Sequence, residues 1–372
     1  MTLKEYAQRA FEDLFACYFD QERKMIIPTW TGIPVEEVEG ADPRGGLWER
    51  GMMLHALESY LLAGGPEEIR DLICAEGRRM KALYTPQELC AAGTFLHNAC
   101  DDCGWHAWLY MLFFRYDPDE WYLQRAMEMM DASAVRWLDN EMGGGMWYEN
   151  TRTWKSLYQV GIVLTCLEIY EHSGNGKYFA LAMECYNWMH SWLGRSDGLY
   201  WADRRMDGPV GQERPGDIRE AGSVSFLGGN MAMAAIHARL YRITGFEVYH
   251  QRVLQVCRGL KDVYVRDGCF INDRDAWTNT TFLSQWVREV TILEGFDPTL
   301  DDALIATAIS VAENARTPDG HYSAVWRGPA EDPNHRWVRI GSVARQIMTS
   351  STGVNWIMCA LWLSRKETGE CP

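Results

Sequence analysis

The sequence predicts an all-α fold, an (α/α)6 barrel of six inner and six outer helices. Three observations carry that prediction. Apolar residues recur at helical spacing along most of the chain. Segments with one apolar face alternate with segments that are apolar almost all round. The links between them alternate too, long Gly- and aromatic-rich loops with short turns. A one-faced helix belongs at a surface and a helix apolar all round belongs inside. Twelve segments alternating in this way make an outer ring around an inner one, in a single domain over residues 1–372.

The first helix, 2–19, is charged and amphipathic (MTLKEYAQRAFEDLF). The second, 46–64, and the third, 66–83, are joined by AGGPEE. The fourth, 100–116, is apolar nearly all round from Trp105 to Tyr116, and YDPDE turns the chain into the fifth, 118–139. The sixth, 154–173, carries the apolar run Leu157–Leu167. After SGNGK the seventh, 175–194, places Tyr178, Leu181, Ala182, Cys185, Trp188, Met189 and Trp192 on one face. The eighth, 222–243, is apolar from Phe226 to Tyr241. Tyr249, Val253, Val256, Leu260 and Val263 repeat the one-faced pattern in the ninth, 246–265. The tenth, 279–295, passes through FDP to the eleventh, 299–316, and the twelfth, 342–367, is apolar from Val354 to Leu363.

The links that lead into the inner helices share a texture: GTFLHNACDDCGW, MGGGMWYENTRTW, DGLYWADRRMDG, DGCFINDRDAW and DGHYSAVWRG. This is an internal repeat, glycine followed by aromatic and polar residues. Long loops at one end and tight turns at the other imply one functional face. The inner helices direct their N-termini, with positive dipole ends, at that face.

Composition narrows the function. A net charge of −15, with no Lys/Arg cluster, disfavours nucleic acid and anionic membrane as partners, since both need a basic face. No run of 18 apolar residues predicts a membrane span, and the N-terminus lacks the apolar core of a secretory signal. Eleven cysteines scattered through apolar helices read as reduced thiols. The expected location is therefore cytoplasmic. Seventeen Trp and 17 Tyr suit stacking on sugar faces as well as a rich core.

Chemistry concentrates at Cys100-Asp101-Asp102-Cys103. As a C-x-x-C it lacks a second pair or an H-x3–5-H to complete a zinc site, and no βαβ setting for thiol exchange surrounds it. No metal or other cofactor is expected. The two aspartates open an inner helix inside an aromatic loop, which suits acid/base or nucleophilic work. Asp301-Asp302 open a helix as well, and there, on an outer helix, plain capping is expected.

Asp101-Asp102 and Trp105 are followed, 41 residues after Asp102, by Gly143-Gly144-Gly145-Met146-Trp147, then Lys155, then Gly198-Leu199-Tyr200-Trp201-Ala202-Asp203. This order resembles glycoside hydrolase family 76, the endo-α-1,6-mannanases, most clearly over residues 46–245. The resemblance implies an (α/α)6 barrel and a retaining hydrolase, with Asp101 as nucleophile and Asp102 as general acid/base. Retention requires carboxyls about 5–5.5 Å apart, a spacing that adjacent residues at a loop–helix junction can reach. Trp48, Trp105, Trp147, Tyr148, Trp201, Trp277 and Trp326 are candidate sugar platforms. Lys155, Asp203, Arg204 and Asp273 are candidates for binding the substrate's polar groups. Two stretches depart from the family pattern: Phe226-Leu227-Gly228-Gly229 at the eighth helix, and Ser156-Leu157-Tyr158-Gln159-Val160 after the lysine. Both departures bear on which oligosaccharide is bound.

Three other readings remain. Unsaturated glucuronyl or rhamnogalacturonyl hydrolases share the architecture and would use a basic residue such as Lys155, Arg204 or Arg345. Sugar 2-epimerases would use histidines, with His97, His106, His321 and His335 available, a reading that the Asp-Asp and Gly-Gly-Gly-Met-Trp combination argues against. A non-catalytic glycan-binding protein would keep the aromatic loops. The segments 203–222 and 327–340 are long enough to close one end of a cleft.

Overall fold

The computed structural model of the chain describes residues 1–22, 24–26, 29–30, 33–34, 47–83, 99–205, 227–271, 282–323, 325–328 and 343–367. Twelve α-helices lie among the described residues, and each overlies one predicted span. They are α1 (Leu3–Tyr18), α2 (Leu47–Leu62), α3 (Glu68–Leu83), α4 (Cys100–Tyr116), α5 (Glu120–Trp137) and α6 (Val160–Ser173). The rest are α7 (Gly176–Leu193), α8 (Leu227–Thr244), α9 (Glu247–Tyr264), α10 (Leu283–Val290), α11 (Thr299–Ser310) and α12 (Val343–Glu367). Four two-stranded antiparallel ribbons punctuate them: β1–β2 (Phe19–Asp20, Met25–Ile26), β3–β4 (Thr29–Trp30, Ile33–Pro34), β5–β6 (Trp154–Ser156, Asp203–Arg205) and β7–β8 (Val265–Arg266, Cys269–Phe270). None of the described helices is long and apolar enough to cross a membrane.

Two elements depart from expectation. The tenth helix, predicted over 279–295, ends at Val290, and turns occupy 291–295. Residues 154–156, predicted as the start of the sixth helix, form β5, and a 3-10 turn over Leu157–Gln159 precedes α6. The strand's partner, β6, lies some 50 residues away in sequence. Local periodicity carries no trace of so distant a partner, and pairing overrides it.

The described residues fall into two compact units, one drawn from Met1–Glu76 and Gly259–Pro372, the other from Gly77–Asp217 and Val224–Arg258. In the first unit α12 packs against α1, α2, α10 and α11. Every residue of α2 from Arg50 to Leu61 is buried, as is every residue of α12 from Ser350 to Leu361. By contrast α1 buries one face and carries a capping box, Thr2 with Glu5. Asp13 on that face accepts a forked pair of bonds from Arg316, each 2.7 Å, and a third from the Tyr322 hydroxyl at 2.8 Å. That fork is the strong geometry for a guanidinium–carboxylate pair.

In the second unit α4, α6 and α8 lie side by side, with α5 outside α4 and α7 outside α6. All ten residues from Val160 to Ile169 and all fourteen from Leu227 to Leu240 are buried. Gly104 allows α4 and α6 to approach closely: a Cβ there would come within 3.0 Å of the Ile162 nitrogen. The alternation of one-faced and wholly apolar helices read from sequence is thus an alternation of outer and inner helices.

Candidate active site

The first turn of α4 carries both aspartates. Of the residues from Cys100 to Phe113, Asp102 is the only one not buried, and Asp101 beside it is buried with 5% exposure. Of the two, buried Asp101 is the exception, since a charged side chain is rarely inside and a buried polar group is the informative one. The helix dipole favours negative charge here. Ala99, at the N-cap, offers no side-chain cap. The Cys100 N–H instead donates to the Tyr148 carbonyl at 2.7 Å.

That bond begins a lattice that binds the motif loops together. Ala99 bridges Glu149, and the Tyr148 N–H donates to the Trp154 carbonyl at 3.0 Å. Trp154 opens β5, in which Lys155 faces Arg204 and Ser156 faces Asp203. Just before β6, the Tyr200 N–H donates to the Asn230 side chain at the head of α8, 2.9 Å away. The aspartate pair, the Gly-Gly-Gly-Met-Trp loop, the lysine and the Gly-Leu-Tyr-Trp-Ala-Asp loop therefore meet at one end of the helices, as the repeat predicted.

The individual side chains are less uniform than the sequence implied. Tyr148 is half-buried and stacked on Trp154, with ring centroids 3.9 Å apart. Tyr158, also half-buried, extends that aromatic wall at 5.6 Å. Trp201 is half-buried under the Arg195 guanidinium, 4.4 Å from its ring. Arg204 lies 4.9 Å from the ring of Trp192. Asp203 is buried, as is Trp105, whose ring centroid sits 6.0 Å from that of Trp108.

Three more of the expected sugar contacts are packed inside. Trp147 has no exposed face, and its indole N–H donates to Asp139. Trp326 lies in the first unit, buried against Trp356 at 5.0 Å. Lys155 is wholly buried, its ammonium donating to the carbonyls of Glu141, Gly144 and Gly145 at 2.7, 2.6 and 3.0 Å. Burial draws its pKa below that of a free lysine, although Asp139, 3.3 Å away, opposes the shift. Trp147 and Lys155 fill the core with satisfied polar tips and Trp326 with its ring, and sequence does not distinguish those needs from a sugar's. Asp273, Trp277, His97, His335 and the side chains of Trp48 and Arg345 lie outside the described residues, as does most of 203–222 and 327–340.

The two cysteines of the C-x-x-C are core. Burial pushes the Cys100 thiol well above its ordinary value and that of Cys103 up to about 12. A thiol held protonated is neither nucleophile nor ligand. At Asp301-Asp302 the cap comes from another residue: Asp297 accepts from the Thr299 N–H at 3.0 Å and its hydroxyl at 2.7 Å.

Sequence reasoning missed Gln159 and Asn230. Gln159, buried, accepts from the Met146 N–H at 2.7 Å and donates to the Ser156 carbonyl at 3.1 Å. Both were available as polar residues inside the apolar runs that open inner helices.

The sequence model of glycosyl hydrolase family 76 matches residues 2–350. The chain belongs to glycosyl hydrolase family 76. It is a glycoside hydrolase. No curated protein matches it in sequence. Among solved structures it is similar to the Lin0763 protein of Listeria innocua, at 18% identity and TM-score 0.72, over 98% of this chain and 99% of that one. An inactive variant of the α-1,6-mannanase GH76A of Salegentibacter sp. HEL1_6, in complex with α-1,6-mannotriose, matches at 15% identity and TM-score 0.73, over 97% and 100% of the two chains. Two consecutive aspartates of that mannanase are replaced by asparagine. Dfg5 from Chaetomium thermophilum, in complex with glucosamine, matches at 15% and 0.73, over 96% and 90%. At these identities the likeness is one of fold, and that fold is the (α/α)6 barrel predicted from the sequence.

Proposed function

We propose that the chain is a retaining hydrolase of α-mannan-type oligosaccharides, with Asp101 as nucleophile and Asp102 as general acid/base. The observation that carries the reading is the aspartate pair itself, at the head of a buried inner helix, with Asp102 alone left partly open. The inactive variant of the Salegentibacter mannanase supports it, since that protein was disabled at two consecutive aspartates.

The steps follow from the placement. Asp102, protonated, gives its proton to the glycosidic oxygen as the bond to the anomeric carbon breaks. The Asp101 carboxylate attacks that carbon from the opposite face and forms a glycosyl ester. Asp102, now ionised, takes a proton from water, and the water oxygen displaces Asp101. Two inversions leave the anomeric configuration unchanged. The N-terminus of α4 favours Asp101 in its ionised form. Tyr148, Tyr158 and Trp201 are the described aromatic residues with partly open rings that suit a sugar face, and Arg204 is a candidate hydroxyl donor. The cytoplasm is the proposed location, supported by nine free cysteines among the described residues.

The test is hydrolysis of a panel of α-mannosides, α-1,6-linked oligomers included, by wild type and Asp102→Asn, with the first-formed anomer read by NMR. We expect an α product from wild type and a loss of about 10²–10⁴-fold in the variant. A β product would exclude retention. Failure on every α-mannoside would leave the family and fold standing and remove mannan as substrate.

A further inference from the structure

We infer that Lys155 is a positioning residue that clamps the Gly-Gly-Gly-Met-Trp loop onto the head of α4, and that it does not bind sugar. The inference rests on the aspartate-pair reading above only for its kinetic consequence. The clamp itself is geometric.

Four successive residues, Met142, Gly143, Gly144 and Gly145, have φ of +55°, +80°, +98° and +70°. Positive φ costs the glycines little and Met142 more, and the turn they make brings the carbonyls of Glu141, Gly144 and Gly145 together at one buried point, where such acceptors need a donor partner. The Lys155 ammonium is that partner. Its three protons match three carbonyls, those of Glu141, Gly144 and Gly145. Asp139 supplies the countercharge at 3.3 Å, and the Trp147 ring closes one side with its centroid 4.6 Å from Nζ. With no exposed surface and every proton engaged, the ammonium has nothing left to offer a substrate.

The clamp reaches the aspartates through the backbone. Three residues beyond Gly145, the Tyr148 carbonyl holds the Cys100 N–H, adjacent to Asp101. Between them the Met146 N–H is fixed by Gln159 and the Trp147 N–H by the Trp137 carbonyl at 3.0 Å. Release of the glycine turn therefore loosens one end of the segment 146–148, on which the first turn of α4 leans. Arginine is no substitute, because a planar fork cannot direct three donors at converging carbonyls.

Lys155→Met and Lys155→Arg, in the full chain, test the inference. Amide exchange should rise in residues 141–148 and at Cys100 and stay unchanged across 227–240. On whichever substrate the wild type hydrolyses, kcat should fall roughly 100-fold, as for a sub-ångström to 1 Å misplacement, with KM within about threefold. A raised KM with unchanged exchange would show a sugar ligand and overturn the clamp. Exchange raised everywhere, with the kcat of the folded fraction unchanged, would show a merely structural lysine and overturn it as well. A wild type inactive on every glycan would defeat the proposed function, and the exchange pattern would still decide the clamp. Should neither variant fold, the wild type answers directly. A clamped ammonium gives a slowly exchanging ¹⁵Nζ signal from Lys155, and a solvent-exchanged one refutes the inference.

Discussion

At the scale of single residues, the division of labour between Asp101 and Asp102 is the sharpest question, and small nucleophiles separate the two. With Asp101→Ala, azide occupies the vacated face and attacks the anomeric carbon once, giving an inverted glycosyl azide. With Asp102→Ala, Asp101 still forms the ester, and azide displaces it without needing a general base. The product is then a retained azide, best seen with an aryl mannoside whose leaving group needs no proton. Both variants lie at the head of α4, where Asp101 is buried and Asp102 half-buried. Azide products of the opposite configurations, read by NMR, would reverse the assignment. The cysteines flanking the pair take no part, because burial holds both thiols protonated.

At the scale of elements, the glycine turn and the β5–β6 ribbon join the motif loops to the head of α4. Gly144 has φ +98° and ψ −163°, a region closed to side chains, and a Cβ would sit 2.2 Å from a Glu184 carboxylate oxygen. Gly144→Ala should therefore cost about 1–3 kcal/mol, read as a lower midpoint in denaturant. It should lower kcat as well, because the Gly144 carbonyl is one of the three on Lys155. An unchanged midpoint would show that the turn relaxes freely. How much of this was legible in the sequence differs by element. The helices were, because their burial pattern is written at 3.6-residue spacing, and each predicted span holds a helix, the sixth beginning later and the tenth ending sooner than predicted. The ribbon was not, because Lys155 and Arg204 pair from 49 residues apart. Lys155 and Trp147 read as sugar contacts for the same reason: a motif shows that a residue type is wanted, and only packing shows by whom.

At the scale of the whole molecule, pH acts through the buried histidines His190 and His237. His190 hydrogen-bonds the Tyr200 hydroxyl at 2.9 Å, and His237 approaches the same oxygen at 3.3 Å. Burial, with Arg252 adding to it, lowers the pKa of His190 to about 4. Burial, then His190 and Arg252, carries that of His237 well below its ordinary value. Both are neutral in the fold, whereas the unfolded chain binds protons below about pH 6.5. Acid therefore favours unfolding. Stability should be level above pH 6.5 and fall as pH drops from 6.5 towards 4, by up to ~1.4 kcal/mol per pH unit for each histidine. Denaturant titrations between pH 4 and 8 measure this. His237→Asn should flatten part of the slope, and an unchanged slope would assign the acid sensitivity elsewhere.

By itself the sequence determined the order of the helices and which of them are buried, and it placed the motif loops and the aspartate pair at one end of them. These are local or periodic properties, and a chain of amphipathic and apolar helices in strict alternation has few ways to bury its faces. Only the tertiary structure decided which motif residues stay open and which are sunk. That choice depends on partners distant in the chain: Tyr148 on Cys100, Arg204 on Lys155, Asn230 on Tyr200. A buried lysine surrounded by carbonyls and a lysine reaching for a sugar have the same one-letter code, and the difference between them is set by the hydrogen bonds that folding forms around the ammonium.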